Sequence, residues 1–123
     1  MNDFLRHKEI EAIRQDILSS FHCALPGVVE SFDADNQAAD IRPVAWPGHG
    51  RIRIPLPLLK DVPVFIPRIG TEPAWTVSPG DACLLIFADL PIDPWLTGDD
   101  TAPVPDRRHD LSDAFAFVGF ARR

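Results

Sequence analysis

Histidine and carboxylate side chains are the groups in this sequence that could bind a metal or act in catalysis. The four histidines (His7, His22, His49 and His109) are scattered, and no pair has the i, i+2 or i, i+4 spacing of metal ligands. His49 lies between two glycines on a predicted loop tip, so a threefold assembly could gather three copies of it on its axis. An ordinary exposed loop histidine is the simpler interpretation. The sequence predicts no metal site and no cofactor.

Catalysis also needs a nucleophile with a base within hydrogen-bond reach, and no motif of this sequence frames one. Acidic residues do cluster, at Asp33 and Asp35 and again at Asp99 and Asp100. Both clusters have turn-like contexts, in which aspartate accepts hydrogen bonds from backbone amides. The seven glycines form no phosphate-binding loop. We therefore expect a protein that is not an enzyme.

The two cysteines, Cys23 and Cys83, lie in apolar stretches without a partner at zinc-site spacing. Two cysteines do not make a disulfide framework, so small buried thiols are the first interpretation. A disulfide between them would require neighbouring strands, and the sequence leaves that alternative open. The N-terminal ten residues are mixed and charged, so we do not expect secretory export or a membrane span.

Length and proline content determine the fold class. A chain of 123 residues with 46% hydrophobic residues fits one core, and its 13 prolines are about twice the average usage. Proline is excluded from helix interiors and central ladder positions, so these residues predict short strands with many turns. We expect a helical segment at 1–22 and a β-domain at 23–123.

The N-terminal segment has a helical apolar period. Ile10, Ile13, Ile17, Leu18 and Phe21 recur at three- and four-residue steps among charged residues, which predicts an amphipathic helix over residues 3–20. Such a helix could fold onto the core of its own domain or dock against a partner subunit. The sequence leaves both alternatives open.

Strand-like patterns follow the helix. Residues 25–32 and 38–46 predict a hairpin around a turn at 33–37, and residues 58–69 predict a third strand, with Pro63 indicating an edge or a bulge. Residues 82–88 are apolar at nearly every position, which predicts a strand buried on both faces. A short helical turn at 90–96, with Trp95 packing down, and a final strand at 113–120 complete the pattern. About five short strands suit a mostly β fold, a small five-stranded Greek-key barrel of the OB type.

An OB barrel raises the alternative of a binding module for single-stranded nucleic acid or oligosaccharide. Such modules stack bases on exposed aromatic rings in a basic groove. The formal net charge of −6 opposes stable nucleic-acid binding, because phosphates require a concentrated excess of Lys and Arg. The phenylalanines in apolar runs are expected in the core: Phe32, Phe65, Phe87, Phe115 and Phe117.

The segment 106–114 is dense in opposite charges just before the last predicted strand. One interpretation is a salt-bridged loop, in which each exposed pair contributes little to stability. The other is a polar contact region between subunits, where charges fix the register of a symmetric interface.

Several motifs together resemble the N-terminal domain of phage central-spike proteins, which belong with the V-type baseplate-assembly proteins. The resemblance covers roughly residues 20–121, and its most specific part is the last motif. The motifs are Leu25-Pro26-Gly27-Val28-Val29-Glu30-Ser31-Phe32, Val62-Pro63-Val64-Phe65-Ile66-Pro67, Pro79-Gly80-Asp81 before Leu84-Leu85-Ile86-Phe87, Ile92-Asp93-Pro94-Trp95-Leu96, and Arg107-Arg108-His109-Asp110-Leu111-Ser112-Asp113-Ala114-Phe115-Ala116.

The resemblance implies a homotrimeric structural protein of the virion, placed in the tail baseplate after assembly in the host cytoplasm. It would plug the end of the tail tube, attach to the tail hub protein and contact the host outer membrane transiently. Because the chain ends at Arg123, we expect a separate needle or tip chain, or a blunt spike. The candidate subunit or hub interface comprises Ile10, Ile13, Ile17, Phe21, Trp95, Arg107, Arg108, His109, Asp110 and Asp113.

Overall fold

The computed structural model describes residues 3–20, 23–44, 46–47 and 53–122. Helix α1 (Asp3–Ser20) precedes strands β1 (Ala24–Asp33) and β2 (Ala38–Pro43). The chain continues through β3 (Trp46–Pro47), β4 (Arg53–Ile54), β5 (Leu59–Phe65), β6 (Arg68–Ile69), β7 (Glu72–Pro73) and β8 (Ala82–Phe87). Helix α2 (Asp93–Leu96) and strand β9 (Ala114–Phe120) complete the fold.

Five strands form a closed barrel in the order β1-β2-β5-β9-β8. All neighbours are antiparallel except β5 and β9, which run parallel with Val64 opposite Ala116. A barrel in which the third and fifth of five long strands pair in parallel has the strand order of an OB fold. The predicted fold class is therefore confirmed. Two hairpins of two-residue strands, β3-β4 and β6-β7, lie outside the barrel sheet.

The core fills the inside of this barrel with alternating side chains from every long strand. Ile41, Leu85 and Ala116 are completely buried, and Val29 is 1% exposed. The β1 backbone approaches this core closely at Gly27, where an added Cβ would lie 2.9 Å from Cγ2 of Ile41. Only glycine leaves room there for β1 to pair with both β2 and β8.

The first hairpin turns through residues 34–37, between strands that match the predicted ones. The Asp33 carboxylate accepts hydrogen bonds from the backbone amides of Asp35 and Asn36, at 3.0 and 3.4 Å. An aspartate at the start of a turn readily accepts such bonds, and the predicted turn is confirmed. The return strand is shorter than expected, since β2 ends at Pro43.

A bulge lies between β2 and β5, where the register shifts between Ala39 and Ile41. Asp61 adopts a φ of +52°, and its amide donates to the Asp40 carboxylate at 3.1 Å. Lys60 donates to the same carboxylate at 3.2 Å. Left-handed residues are typical of such bulges, which bend a barrel strand. Pro63, expected at an edge or a bulge, follows this bulge by two residues, in a strand that has barrel neighbours on both sides.

The strand predicted to be buried on both faces is buried on one. In β8, Cys83, Leu85 and Phe87 point into the core, whereas Leu84 is half-buried and Ile86 is 40% exposed. The prediction was wrong because an apolar run does not by itself distinguish a strand that is buried on both faces from one whose second apolar face lies at the surface. In this barrel the second apolar face of β8 lies on the outside.

Candidate interaction surface

The connection between β8 and β9, residues 88–113, is held by a buried ion pair. Asp113 is 1% exposed, and Arg107 binds both of its carboxylate oxygens through Nε and a terminal nitrogen, at 2.7 and 2.8 Å. The hydrogen bonds that Arg107 donates to the Asp113 carboxylate raise the pKa of the guanidinium. Two parallel bonds of this kind fix orientation as well as distance.

The same carboxylate positions the helical turn that follows. The backbone amide of Ile92, which is buried, donates to Asp113 at 3.2 Å. Helix α2 begins at the next residue and presents Trp95, whose ring packs edge-on against Phe115 with 5.6 Å between centroids. Trp95 packs down as predicted, yet it remains 60% exposed. The ion pair therefore holds a half-exposed indole in a fixed place.

The other predicted residues of this connection surround the pair without joining it. Arg108 pairs with Asp106 at 3.3 Å, and both side chains are exposed. His109 Nε2 lies 2.8 Å from a carboxylate oxygen of Asp89. Asp110 caps the short turn before Asp113 by accepting the Ser112 amide at 2.9 Å. The segment 106–113 is thus a salt-bridged loop with one buried pair.

Outward-facing apolar side chains cover β5, β9 and β8, and we call them the outer apolar face. Phe65 stacks obliquely on Phe117 with 5.5 Å between ring centroids, and Phe117 lies opposite Leu84 in the sheet. Phe115 lies opposite Ile86 in the same way. Phe65 is 56% exposed, and Phe115 and Phe117 are half-buried on the same face, so three phenylalanines that we expected in the core lie on the outside of the barrel.

A groove of about 290 Å³ continues this face beyond the far end of β9. Gly119 adopts a φ of +102°, and the register shifts there so that Phe120 pairs with Ala82. Phe120 joins Pro26 and Val44 in the apolar lining, and Arg122 lies at the groove as its charged member. Glycine is required at 119 because other residues rarely adopt this backbone conformation.

Charge is distributed unevenly over the barrel. Residues 88–113 contain seven aspartates and two arginines, so this connection carries most of the formal net charge of −6. Asp89 and Asp93, which precede Trp95 in this connection, are both more than three-quarters exposed. Among the residues that the structure describes, Arg122 at the groove makes no ion pair. The surface therefore has an acidic region around Trp95 and a positive charge at the groove.

Helix α1 spans the predicted residues, and its described side chains are largely solvated. Ile10 and Ile13 are each 60% exposed and lie within about 60° of each other around the helix axis, whereas Phe4 and Leu5 project to other sides. From residue 15 onward the helix side chains, including that of Ile17, are not described, and Phe21 lies outside the described residues. Over residues 3–14 the helix does not contribute to the barrel core.

The described residues contain no group of three His, Cys, Asp or Glu side chains that could hold a metal ion. His49 lies outside the described residues. Both cysteines are free: Cys83 is buried as expected, but Cys23 is exposed, contrary to the expectation of two buried thiols. Burial raises the pKa of the Cys83 thiol to about 11. Within the described chain, no helix is long and apolar enough to cross a membrane.

Comparison with known proteins bears on the barrel. No curated protein matches the chain. Residues 25–119 match the family described as "Phage protein Gp138 N-terminal domain". The matched range runs from the second residue of β1 to the last residue but one of β9 and includes Trp95, Arg107 and Asp113, with α1 outside it. The chain belongs to the phage Gp138 N-terminal domain family.

Proposed function

We propose that this phage protein is a non-enzymatic structural component of the tail baseplate. It acts as a homotrimeric central spike or hub plug at the end of the tail tube. It binds the tail hub protein, helps to attach a needle or tip chain, and contacts the host outer membrane transiently during breach. The resemblance of its motifs to central-spike proteins is one support for this role, and membership in a phage protein family is another.

The observation that carries the proposal is the outer apolar face. A five-stranded barrel that worked alone would place polar residues on the outward positions of β8 and β9, yet these positions hold Leu84, Ile86, Phe115 and Phe117. Exposed apolar patches of this kind mark protein–protein contact sites. A structural part that is used only in an assembly needs such a surface and needs no catalytic cleft.

Burial of the exposed aromatic side chains on and beside this face would favour association. The exposed 60% of Trp95 corresponds to roughly 100–150 Å² of accessible surface. Burying it is worth about 3 kcal/mol at 25 cal/mol per Å². Phe65 and Phe120, also more than half exposed, add comparable areas. Exposed aromatic residues supported by a rigid scaffold are the usual centres of protein interfaces.

The experiment that tests the proposal is the mass of the purified chain in solution, measured by light scattering across a hundredfold range of concentration. We expect three times the chain mass, reached more readily at moderate salt because copies of net charge −6 repel each other at low salt. A monomer at every concentration and salt would contradict the homotrimer. Co-purification with the tail hub protein would then decide whether the hub drives assembly.

A second function receives support from the same exposed rings. Phe65 and Trp95 resemble the aromatic platforms on which OB folds stack oligosaccharides or bases. The acidic connection beside Trp95 disfavours nucleic acid more than it disfavours a neutral sugar. Titrating the chain with oligosaccharides and single-stranded DNA, with tryptophan fluorescence as the readout, separates this function from assembly. Saturable quenching by either ligand would favour the binding module.

A further inference from the structure

The outer surface of the barrel carries a projecting side chain at one end and a groove at the other. Trp95 projects beside Phe115, near the start of β9, and the groove is completed by Phe120 at the end of the same strand. Five residues of extended strand separate the two phenylalanines by about 15 Å. A side chain and a groove that face outward at this separation cannot meet within one chain.

The groove has the size and chemistry of a tryptophan side chain. Its volume of about 290 Å³ exceeds the ~150 Å³ cavity that is known to hold a benzene ring. Pro26, Val44 and Phe120 supply an apolar lining. An indole is a larger, flat apolar group of the kind that such a lining accepts.

Charge complements this fit. Asp93 lies two residues before Trp95 with its side chain 77% exposed, and Asp99 and Asp100 follow on the exposed end of the same turn. Arg122 is the charged residue at the groove, and it has no ion-pair partner within the described residues. An indole that entered the groove would bring acidic residues toward an arginine. Opposed charges at the edge of an interface favour one orientation over others.

We propose that Trp95 of one copy of this chain inserts into the groove formed by Pro26, Val44 and Phe120 of the next copy. In the trimer each copy gives its tryptophan to one neighbour and receives a tryptophan from the other neighbour, so each interface is head-to-tail. Head-to-tail interfaces form rings when the rotation between copies closes, and three copies make the smallest ring larger than a pair. The inference rests on the proposed homotrimer and assigns its contact residues.

The buried ion pair acquires a role in this arrangement. Arg107 and the Ile92 amide both bind Asp113, and α2 follows directly from Ile92. Trp95 is thus held in its exposed position before any partner arrives. Holding a contact side chain in advance reduces the conformational entropy that is lost on association.

The test compares two single substitutions with a control. Trp95→Ala removes the inserted side chain, and Val44→Glu places a carboxylate in the groove, where it also repels the acidic residues near Trp95. Ile69→Ala removes a side chain that is 77% exposed and belongs to neither element. We expect Trp95→Ala and Val44→Glu to raise the concentration needed for assembly about 30-fold or more, and Ile69→Ala to leave it unchanged.

Mixing the two defective variants gives the sharper result. A Val44→Glu chain keeps its tryptophan, and a Trp95→Ala chain keeps its groove, so an equal mixture retains one intact contact per pair. We expect each variant alone to be monomeric and the mixture to form a heterodimer of twice the chain mass. A mixture that stays monomeric, although circular dichroism finds both variants folded, would overturn the head-to-tail contact.

The outcomes separate this inference from the proposed function. If the unsubstituted chain is a trimer and Trp95→Ala remains an equally stable trimer, the tryptophan–groove contact is wrong and the homotrimer stands. If the unsubstituted chain is a monomer throughout, both are wrong. Arg122→Glu, which alters no buried atom, serves as a second variant. It should weaken assembly at low salt and have less effect at 0.5 M salt.

Discussion

Arg107 and Asp113 form a two-bonded ion pair in which the carboxylate is 1% exposed while the guanidinium remains one-third exposed. Five residues lie between them in sequence, so the pair closes a small loop immediately before the last strand. Because Asp113 also accepts the Ile92 amide, one buried carboxylate joins both ends of the connection that carries Trp95.

Arg107→Ala should be strongly destabilising. The substitution leaves the Asp113 carboxylate buried without its cation, which costs about 2–4 kcal/mol of unfolding free energy. Urea denaturation followed by circular dichroism measures it. Arg108→Ala is the matched control, because its exposed pair with Asp106 should contribute less than about 0.5 kcal/mol. Equal losses in the two variants would mean that burial of Asp113 has little energetic consequence.

The two thiols should differ in reactivity. Cys23 is exposed, whereas Cys83 is buried with a pKa raised to about 11, so a thiol reagent at pH 8 should modify one cysteine per folded chain. Mass spectrometry after proteolysis identifies the modified position. Modification of both residues after unfolding in urea is the control. Rapid labelling of Cys83 in the folded chain would contradict its burial.

Stability should fall in alkaline solution because of the same thiol. The unfolded chain ionises Cys83 near pH 9, but the folded chain keeps it neutral until about pH 11. Its contribution is therefore complete below pH 9 and is lost as pH rises toward 11, by about 2–3 kcal/mol in total. Urea unfolding at pH 8 and pH 10.5 measures the loss. Cys83→Ala should show a smaller difference between the two pH values.

Gly27→Ala should destabilise the barrel by overpacking. The new methyl group would lie 2.9 Å from Cγ2 of Ile41 and 3.3 Å from Sγ of Cys83, in a core with little free space. We expect a loss of about 1–3 kcal/mol. Combining it with Ile41→Leu, which removes the contacted methyl, should recover part of that loss relative to the sum of the single changes. A neutral Gly27→Ala would indicate that β1 can move away from β2.

The left-handed residue of the β2-β5 bulge offers a backbone test. At a φ of +52°, Asp61→Gly should be close to neutral, whereas the β-branched Asp61→Val should cost about 1–3 kcal/mol. Thermal unfolding of both variants measures the difference between them. Asp61 is exposed, so the two substitutions change little buried surface. Similar melting temperatures would mean that the bulge can be rebuilt without the left-handed residue.

Local patterns predicted the local elements well. The three- and four-residue spacing of apolar residues from Ile10 onward predicted that α1 is a helix, and the aspartate-rich turn predicted where β1 ends and β2 begins to within one residue. The β6-β7 hairpin was not predicted, because a strand of two residues has no period to detect.

The outer apolar face was only partly foreseeable. The unbroken apolar run of β8 predicted a strand buried on both faces. In the barrel one face of β8 points inward and the other outward, which depends on the strands that lie beside it. Phe65 was assigned to the core for the same reason. The sequence predicted that segment 106–113 is a charged loop or contact region. It did not predict that Asp113 is the one fully buried charged residue of this segment, because that depends on tertiary packing.

The parallel pairing of β5 with β9 has a consequence for the order of events during synthesis. The sheet cannot close at Val64 until Ala116 has been synthesised. Pairings between residues that are so far apart in sequence form slowly. Strand β9, which closes the barrel, also contributes Phe115 and Phe117 to the outer apolar face. That face is therefore incomplete until β9 has been synthesised and has paired. Before β9 is synthesised, β5 and β8 each lack a barrel neighbour, so the nascent chain has two unpaired strand edges that only β9 can cover.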